Sequence, residues 1–157
     1  MMAGIRRLLL CAVLPPLAIA VFTVGASARE RLDGPYVATV KRVIDGDTIV
    51  VDVPVWLGVA LTTSVRLRGI DTPEMRGDCQ REKDLATQAK ERLARETTAQ
   101  VRLTNIEGDK YYGRVEADVT TMPDGLNLSN AMLASGLARP YDGGKRGDWC
   151  GLASLSP

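Results

Sequence analysis

From Tyr36 to Val43 (YVATVKRV) apolar and polar residues alternate closely enough for a β-strand. Asp45-Gly46 follows, a pair that favours a tight hairpin turn, and then the β-branched run Thr48 to Val53, so two strands joined by a short turn are expected. Pro54 to Thr63, with Trp56 and Gly58, reads as a loop or hairpin tip. Ser64 to Ile70 reads as a third strand, ended by the Thr72-Pro73 step. Between Arg81 and Glu96 the period changes. Leu85, Ala89 and Leu93 recur every four residues with Ala86 beside them, which predicts an amphipathic helix with its charge-rich face in solvent. Gln100 to Ile106 and Val115 to Val119 read as strands around the turn-rich Glu107-Gly108-Asp109, and Asn127 to Ser135 as a short helix stopped by Gly136.

Three strands, a helix, two strands and a helix suit a small closed β-barrel better than a parallel α/β sheet, whose strands and helices would alternate one by one. The 157 residues suffice for one domain, and usage of 45% hydrophobic and 25% charged residues excludes collagen-like, coiled-coil or disordered chains.

The first 28 residues depart from this pattern. Arg6 and Arg7 precede an uncharged apolar run from Leu8 to Val24, which is interrupted by Pro15-Pro16 and followed by Ala26-Ser27-Ala28. That is the layout of a signal peptide cleaved after Ala28, favoured over a retained anchor because the run falls short of the ~20 residues that span a bilayer. Export to a periplasm or to the outside is expected, with membrane association only if the segment is kept. The remaining domain, 29–157, has its core at about 36–141. Losing two arginines and no acid with the leader takes the formal charge from +1 to −1. The protein therefore lacks the bulk positive charge of one that binds nucleic acid by phosphate neutralisation alone.

Cys11 leaves with the leader, and the even pair Cys79 and Cys150 in an exported chain argues for a disulfide over two buried free thiols. The chain contains no histidine. His-metal sites, Ser-His and Cys-His pairs and His general bases are all excluded, and acid-base work falls to carboxylates, or else to Tyr or Lys.

Asp47 leaves the first turn, and Asp71 and Glu74 leave the third strand, so three carboxylates meet where strands end. Oxygen ligands of this kind suit a hard cation such as Ca²⁺ or Mg²⁺, although Asp45 and Asp47 could equally serve the turn alone. Arg66, on the strand face shared with Arg68, is either a structural ion pair or a planar fork for phosphate. Lys110-Tyr111-Tyr112-Gly113-Arg114 is a turn entering a strand, with two aromatics able to stack on bases. GGKRG at 143–147 lacks P-loop spacing and reads as a solvated loop.

In order and spacing, VIDGDTIVV at 43–51, VRLRGIDTPE at 65–74, KYYGR at 110–114 and GLARPY at 136–141 resemble the staphylococcal nuclease (thermonuclease) family. The resemblance implies a mainly β, α+β fold: a five-stranded OB-fold barrel with helices packed on it. It implies calcium ligation by Asp47, Asp71 and the Thr72 carbonyl, a catalytic Glu74, and phosphate-clamping arginines at Arg66 and Arg114. Tyr112 matches a tyrosine that contacts a second phosphate, with Tyr111 where the family carries a lysine, and Tyr141 falls near the base-stacking tyrosine. The implied protein is a monomer without a stable protein partner. It cleaves DNA and RNA, single strands preferentially, to 3′-phosphate and 5′-hydroxyl ends. The departures are the extended Pro54 to Thr63 segment, the near-neutral charge, and a short tail after Tyr141 that the Cys79–Cys150 link would secure. The alternatives are a non-catalytic OB-fold module that binds single strands or a protein, and a structural envelope domain stabilised by calcium, which would leave Arg66 and Arg114 unexplained.

Overall fold

The computed structural model describes residues 30–151; the expected signal peptide lies outside the described residues. The strands are β1 (Arg31–Leu32), β2 (Tyr36–Val43), β3 (Thr48–Trp56), β4 (Val59–Leu67), β5 (Ile70–Asp71), β6 (Gln100–Gly108), β7 (Arg114–Thr121) and β8 (Arg139–Pro140); the helices are α1 (Gln80–Glu96) and α2 (Leu128–Ala134). Sheet order β6-β2-β3-β4-β7, with β7 pairing back onto β6, closes a five-stranded barrel. It is mixed, because β4 and β7 run parallel while its other pairs are antiparallel. Closure removes the free edges that an open five-stranded sheet would leave.

Inward positions alternate as the pleat requires. Ile49 and Val51 from β3, Val65 and Leu67 from β4, Val101 and Leu103 from β6, and Ala117 and Val119 from β7 fill the barrel. Ala86, Ala89 and Leu93 of α1 are buried at the spacing of one helix face, and Leu128 and Met132 bring α2 into the same core. The predicted periodicities thus mark the buried faces.

Three features go beyond the sequence reading. Of the two readings of Pro54 to Thr63, loop or hairpin tip, the structure shows the hairpin tip, almost wholly strand with only Leu57-Gly58 turning; Gly58 adopts φ +74°, a left-handed conformation that costs glycine little. The predicted third strand breaks at Arg68-Gly69, where Gly69 has φ +79°, and Ile70–Asp71 restarts as β5 against β8. Glu82 is buried, because it shares the helix face of Ala86, Ala89 and Leu93, although the sequence reading places the charged residues of α1 in solvent. Cys79 is the N-cap of α1, its sulfur accepting the Glu82 N–H at 3.4 Å. The Glu82 carboxylate turns back over the helix start to accept the N–H groups of Glu74 at 3.2 Å and Asp78 at 3.1 Å. The acid in the first turn thus satisfies donors of the loop that leads into the helix, and its charge suits the positive end of the helix dipole.

Candidate active site

The β2–β3 turn is held by Asp45, whose carboxylate accepts the Asp47 N–H at 3.1 Å, and the Asp47 carbonyl accepts the Leu67 N–H at 2.8 Å. That bond ties the turn to the end of β4. Gly46 explains how the turn also approaches the next segment: a Cβ there would lie 2.7 Å from the Ala89 Cβ and 2.9 Å from Thr72. Close backbone approach at a glycine thus brings Asp47 beside the Asp71-Thr72 segment.

Arg66 joins the two aspartates. Its Nη1 lies 2.7 Å from Asp47 Oδ2, and its Nη2 donates to the Ile70 carbonyl at 3.0 Å and lies 3.9 Å from Asp71 Oδ1. Asp47, Arg66, Asp71 and Thr72 are all buried. Burial pushes the Asp47 carboxyl up to about 6, against the opposing pull of Arg66. Asp71 Oδ2 accepts the Trp149 indole N–H at 3.3 Å. The buried Asp71 Oδ1 has Arg146 Nε at 3.1 Å, yet no hydrogen bond reaches it. Two buried carboxylates, one with an oxygen lacking a hydrogen-bond donor, beside the buried Thr72 make a hard-oxygen set that fits a calcium ion.

Glu74 sits just beyond this set with its carboxylate exposed and ion-paired to Arg146. An open cleft of about 1020 Å³ is lined by Glu74, Arg66, Arg114, Tyr111, Tyr141 and Arg146, among others. Arg114 enters it from the start of β7, with Nε 2.5 Å from Asp109 Oδ2 and its guanidinium 4.6 Å above the Tyr111 ring. Burial raises the Asp109 carboxyl, but hydrogen bonds from Arg114 and the Lys110 N–H outweigh it and hold the group below its usual value. Tyr141 anchors at the mouth, its hydroxyl donating to the Gly144 carbonyl at 2.8 Å. Of the residues singled out from sequence, the fold gathers Asp47, Arg66, Asp71, Thr72, Glu74, Arg114 and Tyr141. Tyr112 stands fully exposed outside the cleft lining, and Tyr111 occupies the lining instead.

Four contributors escaped the sequence reading. Asp109, read only as part of a turn, orients Arg114, and Glu82 holds the Glu74 backbone. The GGKRG stretch is not simply a solvated loop, since Arg146 folds back onto Asp71 and Glu74. Trp149 is buried, stacked 3.8 Å from the Arg139 guanidinium, and donates to Asp71. The signal for Arg146 and Trp149 was Cys150. It is bonded to Cys79, five residues after Glu74, so residues just before Cys150 must lie over the site. Both sulfurs of the Cys79–Glu82–Cys150 group are spent in that disulfide, which removes the thiolates a metal would require.

Reduction of Cys79–Cys150 is expected to release this strap. The link spans a sequence separation of 71. A closed loop of that size contributes roughly 4 kcal/mol in the chain-entropy model, so the melting temperature should fall by roughly 10 °C. Trp149 emission should move to the red as the indole meets water. Calorimetry and fluorescence with and without reductant check both; an unchanged melting temperature would show that the strap is held by its polar contacts alone.

The family model described as staphylococcal nuclease homologue matches residues 64–148, more than half of the chain. No curated protein matches.

Proposed function

Since the chain belongs to the staphylococcal nuclease homologue family, a family of nuclease or nucleic-acid-binding OB-fold modules, we propose that it is an exported, calcium-dependent nuclease that hydrolyses DNA and RNA. The observation that carries the catalytic reading is that one buried arginine, Arg66, joins Asp47 and Asp71 at 2.7 and 3.9 Å and itself lines a cleft that also holds Glu74 and Arg114. A structural ion pair explains Arg66, but it does not explain a second guanidinium and an exposed carboxylate converging on the same cleft.

Phosphodiester hydrolysis places extra negative charge on the non-bridging oxygens as water adds to phosphorus. Arg66 and Arg114 supply planar donor forks for that charge. Glu74 accepts the proton that the attacking water loses, the P–O5′ bond breaks, and the departing 5′ oxygen takes up a proton from solvent. The products are a 3′-phosphate and a 5′-hydroxyl. A calcium ion on Asp47, Asp71 and the Thr72 carbonyl would supply further positive charge at the phosphate. The Tyr111 and Tyr141 rings, each near an arginine at the cleft, offer stacking faces to unpaired bases, which favours single strands as substrate.

The near-neutral charge favours the second reading, a module that binds without cutting. Digestion of heat-denatured DNA with calcium and with chelator separates the two: cutting that chelator stops supports the nuclease, and retention of the strand without cutting supports the module.

The Asp47 carboxyl also sets an expected pH dependence. Its folded-state value of about 6 lies above the ordinary 3.8. The stability contributed by its protonated form is therefore complete below 3.8 and lost as pH rises through 6, so ionised Asp47 is a cost that a bound cation offsets. Calcium affinity measured by calorimetry should be flat from pH 8 to 7 and fall by up to about tenfold per unit below 6. A flat profile to pH 5 would place the ion away from Asp47.

A further inference from the structure

Beyond Asp52 the barrel loses its neighbours on both sides. The β2–β3 register ends at Thr39↔Asp52 and the β4–β7 register begins at Ser64↔Arg114, while β3 and β4 go on pairing with each other through Val53↔Leu61, Pro54↔Ala60 and Trp56↔Val59. This two-stranded arm, Val53 to Thr63, contains no charged residue. Along its tip Val55 is 54% exposed, Trp56 77%, Leu57 90%, Val59 53% and Leu61 57%. Successive strand residues point to opposite faces, so the arm is apolar on both. A contiguous exposed apolar surface of this kind marks an interaction site.

We infer that the arm is a wedge that inserts into the interface of a lipid bilayer. A convex element that is apolar all round needs surroundings that enclose it, as acyl chains do and a flat protein face does not. Two clefts among the described residues offer the arm of a second copy no apolar socket, since they are lined largely by charged groups, Arg66, Glu74 and Arg114 in one and Arg76, Glu82 and Lys145 in the other. Strand addition along β3 is blunted by Pro54, which has no N–H to give. Nucleic acid is disfavoured because the arm has no cation for phosphate, and the nearby Lys41 is held 3.1 Å from Asp52.

The dimensions and the order of residues agree with insertion. Four strand steps from Val53 to Leu57 extend roughly 13 Å, within one leaflet of a ~30 Å hydrocarbon core. A polar collar closes the base of the arm, where Thr62 donates to Asp52 at 2.6 Å and Lys41 pairs with the same carboxylate. Trp56 near the tip brings an amphipathic ring of the kind enriched at membrane interfaces. Thr63 donates to the Gly113 carbonyl at 3.2 Å, so the arm springs from beside the Lys110 to Arg114 loop and an inserted arm would hold the cleft close to the lipid surface.

The test uses the exported protein and vesicles of phosphatidylcholine brominated on its acyl chains, which quench an indole that enters them. Trp149 is buried, so the quenched emission is expected to come from Trp56. Wild type should sediment with the vesicles, lose its exposed-indole emission and stay bound at high salt, because no charge takes part. Trp56→Phe should still sediment but without that quenching. Leu57→Asp, at a side chain too exposed to disturb the fold, should bind about tenfold or more weakly. No sedimentation, or sedimentation without Trp56 quenching, overturns the inference, and so does binding that Leu57→Asp leaves unchanged, which would implicate another segment. A Trp56 shift that needs no vesicles and follows protein concentration assigns the arm to a second copy. A shift on adding a single-stranded oligonucleotide assigns it to nucleic acid. Either of these also overturns the lipid reading, and none of the outcomes depends on whether the protein cuts.

Discussion

Glu74→Gln is expected to cut single-stranded DNA at least about two orders of magnitude more slowly than wild type while keeping its fold and its calcium affinity. The amide retains the size and hydrogen-bonding shape of the carboxylate but cannot take a proton from water, and a positioned general base contributes typically ~10²–10⁴-fold. The fold should tolerate the change because the Glu74 carboxylate is exposed and Arg146, which pairs with it, keeps Asp71. Arg114→Ala should act in the same direction, since one preorganised donor to developing charge is worth ~10²–10³-fold. Its loss also frees the Asp109 carboxylate, now 2.5 Å from Arg114 Nε, to repel the phosphate. Initial rates against calcium concentration, with folding checked by circular dichroism, measure both variants. Equal rates in folded variants would move the chemistry elsewhere.

Arg66→Ala should be the most damaging single change to the fold around the site. Arg66 places Nη1 2.7 Å from the buried Asp47 carboxylate, donates to the Ile70 carbonyl, and stands 3.9 Å from the buried Asp71. Removing one partner of a buried pair leaves an uncompensated charge and typically costs about 3–5 kcal/mol, enough to lower the melting temperature by roughly 10 °C or more. The double variant Arg66→Met, Asp47→Asn removes both charges and should recover most of that stability, since replacing a whole buried pair is often close to neutral. It should recover no cutting, because the phosphate fork and a calcium ligand are both gone. Thermal melts and cleavage rates on the same samples separate Arg66 as a stabiliser from Arg66 as a phosphate donor. A stable but fully active Arg66→Ala would contradict both roles.

How much of this was legible depended on the range of the interaction. The barrel strands and α1 followed from local periodicity, because inward residues such as Val65 and Leu67, or Ala89 and Leu93, are fixed by the pleat and the helical turn. The short strands β1, β5 and β8 carry too few residues for any period, and they exist through distant partners, as with Asp71 opposite Arg139. The convergence of Asp47 with Asp71 could be anticipated from strand ends alone, but the closeness depends on Gly46, whose missing Cβ makes room for Thr72 and Ala89. Glu82 left a usable trace, an acid three residues after the residue that caps α1, obscured because that cap is a cysteine. Arg146 left none in its own neighbourhood. Its place is set by a covalent bond across the chain, and only pairing Cys150 with Cys79 before reading GGKRG would have turned that loop toward Glu74.

The most direct test of the central claim is the initial rate at which the wild-type exported protein cleaves heat-denatured DNA as calcium is raised from a chelated start, with product ends identified chemically. The account predicts no cutting in chelator, saturable cutting with calcium, and 3′-phosphate with 5′-hydroxyl ends. Tight retention of the strand with no cleavage at any calcium concentration would contradict it and leave a binding module.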